Sequence, residues 1–346
     1  MLRSIVAAAF LVTLVGGCAG ARATAPARLA VRRTERVAAS NRCVGRRRTK
    51  RDYEWPVKPF DVQHPVRGGF GDPRTISDAG FADDDAGDAG DYSFHNGIDI
   101  AARNGTPVYP VATGIAHVVG DSEVRVRRGN RVFRYQHIRP SVHNRERVVA
   151  GVTVLGTIRV PFGHVHLTEI DRMRVVNPLI HIRPYVDRIA PEVRKLVFAA
   201  RNGRRIDGAT LTGDVIVGAE ADDSQSVRVP GAWGGYPVAP ALVRATLVSD
   251  SGRVVWRRVA ADFMRTEPTQ RHFWDVYAAG TYQNFPVFDH HYYWGRAGRY
   301  IFLLTHGALD TRRFHDGSYT LTATAEDFCG NVGTLSERVE IANAQQ

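Results

Sequence analysis

Gly, Pro and Asp cut this 346-residue chain into short Val-, Ile- and Tyr-rich runs, and no stretch sustains apolar recurrence at the helical period. A chain patterned this way buries its apolar residues as strands. Strands are predicted over 106–109, 114–119, 123–127, 132–137, 152–158 and 165–170, a cadence of strand and turn that builds an antiparallel sheet. One short helix is predicted over 191–196. The length exceeds one ordinary domain and suits two, each able to bury a core without help from disulfides. The fold class expected is mainly β.

Within that frame five polar residues stand out: His95 and Asp99 in HNGID, His137 in YQH, and His164 and His166 in HVH. Side chains alternate across a strand, so His164 and His166 share a face. His95 and Asp99, four apart, lie on one strand face or are bent together by the turn that Gly97 allows. A catalytic zinc takes three protein ligands from His and carboxylate and keeps a fourth position for water, so two neighbouring strands suffice to supply it. Either motif alone carries no weight in a β protein; their conjunction, in this order, points to a metal site. His117, His143 and His181 fit no motif and read as packing or surface histidines. Asn96 and Thr106 read as turn and strand residues, although Asn96 adjoins a ligand. Tyr135, which alternation puts on the His137 face, is assigned no catalytic role, and Glu169 is a candidate to support a ligand from behind.

The flanking residues extend the pattern. Gly69-Phe70-Gly71 precedes it, His95 through Tyr109 reads HNGIDIAARNGTPVY, and Val154-Leu155-Gly156 leads into Gly163-His164-Val165-His166. On these motifs residues 55–186 resemble the lysostaphin and LytM type of zinc metallopeptidases. The resemblance implies an antiparallel β-sheet domain of the duplicated hybrid motif type holding one Zn2+, with His95, Asp99 and His166 as metal ligands. It implies catalytic roles for His164 and His137 as well, which would flank the reacting water as base and transition-state stabiliser. It further implies a peptidoglycan endopeptidase, acting on stem or cross-link peptides of the bacterial wall. Members that have lost their ligands serve as silent wall binders or amidase activators, and retention of all the ligand positions argues against that alternative here. The chain departs from the family in the short region between Gly114 and Tyr135 and in lacking a Gly-Tyr-Gly strand before YQH, which predicts a trimmed cleft wall.

The N-terminal residues carry an address. Arg3 precedes an apolar run from Ile5 to Val15, too short to span a bilayer as a permanent helix, and this reads as an export signal. The run Leu14-Val15-Gly16-Gly17-Cys18 resembles a lipoprotein box, so residues 1–17 are expected to be a lipoprotein signal peptide and Cys18 a lipidated membrane anchor; cleavage after Ala23 is the competing ending. Residues 22–51 hold 11 Lys or Arg against the single Glu35, nearly all of the net charge of +11. The rest is near neutral, and the basic tract lacks interleaved aromatics, so nucleic acid is excluded as a partner. Residues 18–54 are expected to be a basic tether lying against anionic lipid or wall polymer, in the cell envelope. An oxidising compartment would permit Cys43 and Cys329 to pair, with two buried thiols as the alternative. The acidic run from Asp83 to Asp91 reads as a loop rather than a calcium site, because it lacks the closing Glu.

From residue 187 to 346 the strand rhythm resembles an Ig-like β-sandwich. Gly317 to Asp327 gives clean alternation with Tyr319, Leu321 and Ala323 on one face, and 336–341 is expected to be the closing strand. The aromatic stretch His290-His291-Tyr292-Tyr293-Trp294 could form a carbohydrate-stacking patch or a metal pair, but adjacent histidines in a strand point to opposite faces, and packing and surface roles are expected.

Overall fold

The computed structural model describes residues 33–37, 41–75, 92–288 and 291–343. The expected signal peptide, Cys18, the Asp83 to Asp91 run and His290 lie outside the described residues. Among the described residues helix is limited to Phe273–Val276 and a few single 3-10 turns, and no helix is long and apolar enough to cross a membrane. The fold is mainly β.

An eight-stranded antiparallel sheet carries the histidines. Its strands are β1 (Val66–Gly68), β2 (Ile98–Ala101), β3 (Gly114–Val119), β4 (Glu123–Arg128), β5 (Arg131–Gln136), β6 (Arg147–Val148), β7 (His164–Asp171) and β8 (Arg174–Val176). They run in the order β6-β3-β4-β5-β7-β2-β1, with β8 paired to β7. One face buries Ile98, Ile100, Phe133, Tyr135, Val165 and Leu167, the residues that alternation selects. The expected strands over 114–119, 123–127 and 165–170 match within a residue or two, while 152–158 shrinks to Gly156–Ile158 in a separate three-stranded sheet.

The later residues form two further sheets packed against each other. One contains β9 (Glu192–Ala200), β10 (Asp214–Asp222) and a strand at Ile301–Leu303; the other contains Leu242–Ser249, Val254–Asp262, Gly317–Glu326 and Val332–Ile341. Tyr319, Leu321 and Ala323 all face inward. The helix expected over 191–196 is strand β9 instead. A bulge between Val193 and Lys195 inserts one residue, so Val193 and Leu196 share the buried face at a spacing of three, which imitates a helical repeat. Within the segment read as a tether, Arg33–Val37 pairs antiparallel with Val332–Ile341. Cys43 and Cys329 form a disulfide across 286 residues of sequence.

The two halves share one core. Phe94, on the approach to His95, packs against Phe263, Phe273 and Tyr277 at ring distances of 5.6, 5.4 and 5.9 Å. All four are at most 2% exposed, and each fully buried ring of this size contributes roughly 1.5–3 kcal/mol. Polar contacts follow the same seam: the Tyr277 hydroxyl donates to the Gly71 carbonyl at 2.7 Å, and Ala239 N–H to Asp72 at 2.7 Å. The C-terminal half therefore grips the segment that precedes the histidine cluster.

Candidate metal centre

Strands β2 and β7 are antiparallel neighbours in a register that sets His166 opposite Asp99 and His164 opposite Ala101. Cross-strand partners share a face, so Asp99, His164 and His166 stand together on the side away from the apolar core. His95 precedes β2, and Gly97 lets the chain pass the neighbouring strand: a Cβ there would lie 2.4 Å from the Leu167 carbonyl oxygen. The result is a buried triad of donors. His95 Nε2 lies 2.8 Å from His166 Nδ1 and 3.2 Å from Asp99 Oδ1, and His166 Nδ1 lies 3.1 Å from Asp99 Oδ1. These spacings lie slightly inside the edges of roughly 3.3–3.6 Å that tetrahedral bonds of roughly 2.0–2.2 Å require, so a cation entering would spread the three donors by a few tenths of an ångström.

The outer atoms of the triad determine its protonation. His95 Nδ1–H donates to the Gly69 carbonyl at 2.7 Å, which leaves Nε2 as a lone pair. His166 Nε2–H is held by Asn96 Oδ1 at 3.1 Å and Thr168 Oγ1 at 2.8 Å, which leaves Nδ1 as a lone pair. Arg74 Nη2 donates to Asp99 Oδ2 at 2.9 Å and orients the free oxygen inward. Burial, with Arg74 nearby, lowers His95 to about 4, so it is neutral near pH 7. Burial alone would raise Asp99, but His95 and His164 outweigh it and hold the carboxyl well below the usual range. Two nitrogen lone pairs and one anionic oxygen thus converge with no proton between them. The residues fit a divalent cation, and the partners behind each ligand are of the kind that fixes metal-binding imidazoles.

His164 and His137 stand beside the triad. His164 Nδ1–H donates to the Phe162 carbonyl at 2.9 Å, and its Nε2 faces Asp99 Oδ1 at 3.4 Å. His137 has φ of 64°, a left-handed conformation rare outside glycine. Regular alternation would have turned it to the core face with Tyr135; the left-handed turn brings its ring onto the metal face, 4.6 Å from that of His164 and stacked on Phe162 at 4.2 Å. The expectation that Tyr135 and His137 share a face is therefore overturned: the Tyr135 hydroxyl is buried and accepts from Val111 N–H. Burial lowers both histidines, His137 to about 2, so both imidazoles are neutral near pH 7, each with one N–H and one lone pair.

Other expectations also move. Glu169, three residues after His166, points to the opposite face and binds Arg131, Tyr53 and His181, so it supports no ligand. Asn96 sits behind His166 and does not face the cleft's reacting side. The glycine motif is explained by the residues around it: Gly71 has φ of 87°, and a Cβ there would lie 2.3 Å from the Phe263 ring, while a Cβ on the preceding Gly68 would lie 2.3 Å from Asp99 Oδ2. Thr168 and Arg74, which support His166 and Asp99, were not singled out in the sequence; Arg74, three residues after Gly71, is a signal that the glycine motif alone concealed.

The triad opens into a cleft of about 550 Å3. One wall is Arg67, His137, Phe162 and His164; the other comes from the C-terminal half, with Trp233, Tyr292 and Trp294 among its residues. Of the aromatic stretch expected to serve packing and surface, Tyr292 and Trp294 line the cleft. Arg67 stacks on Trp233 with its guanidinium carbon 3.9 Å from the ring centroid, and its Nε is buried without a hydrogen-bond partner. Burial lowers its pKa to about 10.

No protein-family model matches the chain, and no curated protein matches it. Solved structures with partial likeness include Csd3 of Helicobacter pylori, at 19% identity over 40% of this chain and 36% of that one, with a TM-score of 0.30. A zinc-containing peptidase from Vibrio cholerae shares 22% identity over 37% of this chain and 40% of its own, with a TM-score of 0.29. The deep-sea M23 metalloprotease pseudoalterin shares 19% over 46% of this chain and 95% of its own, with a TM-score of 0.25. The chain thus spans about a third of the length of Csd3.

Proposed function

We propose that the chain is a zinc-dependent endopeptidase that hydrolyses peptide bonds in bacterial peptidoglycan. The observation that carries this reading is the convergence of His95 Nε2, His166 Nδ1 and Asp99 Oδ1, each with a partner fixing it from behind. Two imidazoles and one carboxylate are the donor set of a catalytic zinc site with an open position. Zinc held there supplies Lewis acidity toward water and toward a carbonyl oxygen. His164 accepts the water's proton at Nε2, since its Nδ1 is committed to the Phe162 carbonyl, and returns it to the leaving amine. His137, pinned by Phe162, lies where an imidazole can steady the charge that develops on the substrate carbonyl.

The cleft walls suit a peptide with a free carboxylate. Arg67 brings a planar guanidinium to the cleft lining near the triad, and Trp233, Tyr292 and Trp294 offer apolar faces to stem or glycan. Peptidoglycan stems carry such carboxylates. We place the enzyme in the cell envelope, exported by residues 1–17 and anchored at Cys18, on the sequence alone.

The test is purified full chain incubated with peptidoglycan sacculi, with and without a chelator, followed by mass analysis of the fragments. Chelator-sensitive release of cleaved stem peptides is expected. Intact sacculi from folded, zinc-loaded protein would refute the hydrolase reading.

A further inference from the structure

A second group of metal-type donors lies far from the histidines in composition and in role. Asp187 follows the sheet of the histidines, Asp223 follows β10, and Asp327 sits in the turn between Gly317–Glu326 and Val332–Ile341. Their carboxyl groups converge: each offers an oxygen within 4.8 Å of the others, and all three residues are buried.

The hydrogen-bond count leaves this cluster incomplete. Asp187 Oδ1 accepts from Ser226 Oγ at 2.7 Å, Ser226 N–H at 3.1 Å and Ile189 N–H at 3.1 Å, but its Oδ2 is buried with no partner. Asp223 Oδ1 is likewise buried with no partner. The residues are 1% and 5% exposed. Asp327 is served at both oxygens, by Asn331 N–H at 2.8 Å and Asn331 Nδ2 at 2.6 Å. The arginines nearby pair with neighbouring acids instead: Arg194 Nη2 binds Asp222 at 2.9 Å, and Arg42 and Arg244 both bind Glu326. Among the described residues no Lys, Arg or His forms an ion pair with any of the three acids. Buried carboxylates without a counter-charge are strongly disfavoured: burial raises all three acids, repulsion from the others adds to it at Asp223 and Asp327, and Asp327 reaches about 6. The cluster needs protons or a cation to be stable near neutral pH.

We infer that Asp187, Asp223 and Asp327 form a calcium site that clasps the junction between the two halves of the chain. An all-oxygen, carboxylate-rich set suits a hard cation, and calcium tolerates the irregular geometry of ligands drawn from a linker, a strand end and a turn. The place is mechanically meaningful. Asp187 N–H donates to Cys329 Sγ at 3.3 Å, so the site abuts the disulfide. Asp223 pairs with Val238, and the next residue, Ala239, donates to Asp72 in the cleft. A cation here would fasten the segment that follows the histidine sheet to the C-terminal sheets at one point. The inference does not depend on the peptidase reading.

Calcium chloride is titrated calorimetrically into zinc-loaded full chain near neutral pH, and melting is followed with and without calcium. One saturable calcium per chain and a melting point several degrees higher at saturation are expected. Terbium, excited through the aromatic residues, should luminesce in the same site and be displaced by calcium. Asp223→Asn and Asp187→Asn should each lose the binding and the calcium-dependent rise. In chelator both should melt no lower than the parent, since each removes a buried charge. Absence of saturable calcium binding by the parent would overturn the site in favour of carboxyls sharing protons, and so would unchanged binding in either variant.

Discussion

At His95, Asp99 and His166 every donor has a partner behind it, whereas at Asp187, Asp223 and Asp327 two oxygens have none. The first cluster is built on adjacent strands in fixed register, with mixed nitrogen and oxygen donors and an open cleft in front. The second is all oxygen, enclosed, and assembled from three separate segments. The difference teaches what each can do. Rigid imidazoles beside open space suit chemistry, where a fourth position must be free; enclosed carboxylates suit a structural cation, which holds segments together.

The comparison breaks most visibly at the first cluster. His166→Ala should abolish stoichiometric zinc and activity together, while His164→Ala should keep zinc and lose roughly 100- to 10,000-fold in kcat. Metal analysis beside a sacculus assay separates the two, and loss of zinc in His164→Ala would show that the assigned roles are wrong. The junction comes next. Removing the disulfide with Cys43→Ser should lower stability by about 2–5 kcal/mol in denaturant titrations, and an unchanged midpoint would show that the junction is held by other contacts.

The pH response sharpens the contrast further. The carboxyls of the second cluster are raised above the ordinary value of 3.8, Asp327 to about 6. The folded state therefore holds protons that the unfolded chain has already released. In chelator, stability should fall as pH rises from about 4 through about 6, and saturating calcium should flatten that loss. Melting curves at stepped pH decide it; a loss insensitive to calcium would leave protons as the only ligand. The smallest effect is expected at the cleft wall. Arg67→Ala should raise KM about tenfold for a stem peptide with a free carboxylate and leave kcat near the parental value, a shift that amidating the peptide should abolish.

Much of the site was legible because strand alternation is a rigid rule. His164 and His166 had to share a face, and the HNGID spacing had to return Asp99 to it. The role of His137 came only through resemblance, because plain alternation would turn it to the core face and no pattern announces the left-handed turn that brings it to the metal face. What stayed hidden was long-range. The bulge at β9 disguised a strand as a helix, and the second cleft wall depends on Trp233, Tyr292 and Trp294 arriving from a 3-10 turn and a small hairpin whose positions no local pattern encodes. Asp187, Asp223 and Asp327 are likewise scattered over the C-terminal half, and only folding brings their oxygens together. The Cys43 pairing was open in the sequence for the same reason, since spacing says nothing about the approach of two segments 286 residues apart.

The central claim is that His95, Asp99 and His166 hold zinc. Crystals of the purified full chain, measured with anomalous scattering on both sides of the zinc absorption edge, test it most directly. A single zinc peak bonded to His95 Nε2, Asp99 Oδ1 and His166 Nδ1 is predicted. A chain that carries zinc elsewhere, or a triad without a peak in protein loaded with zinc, would contradict it.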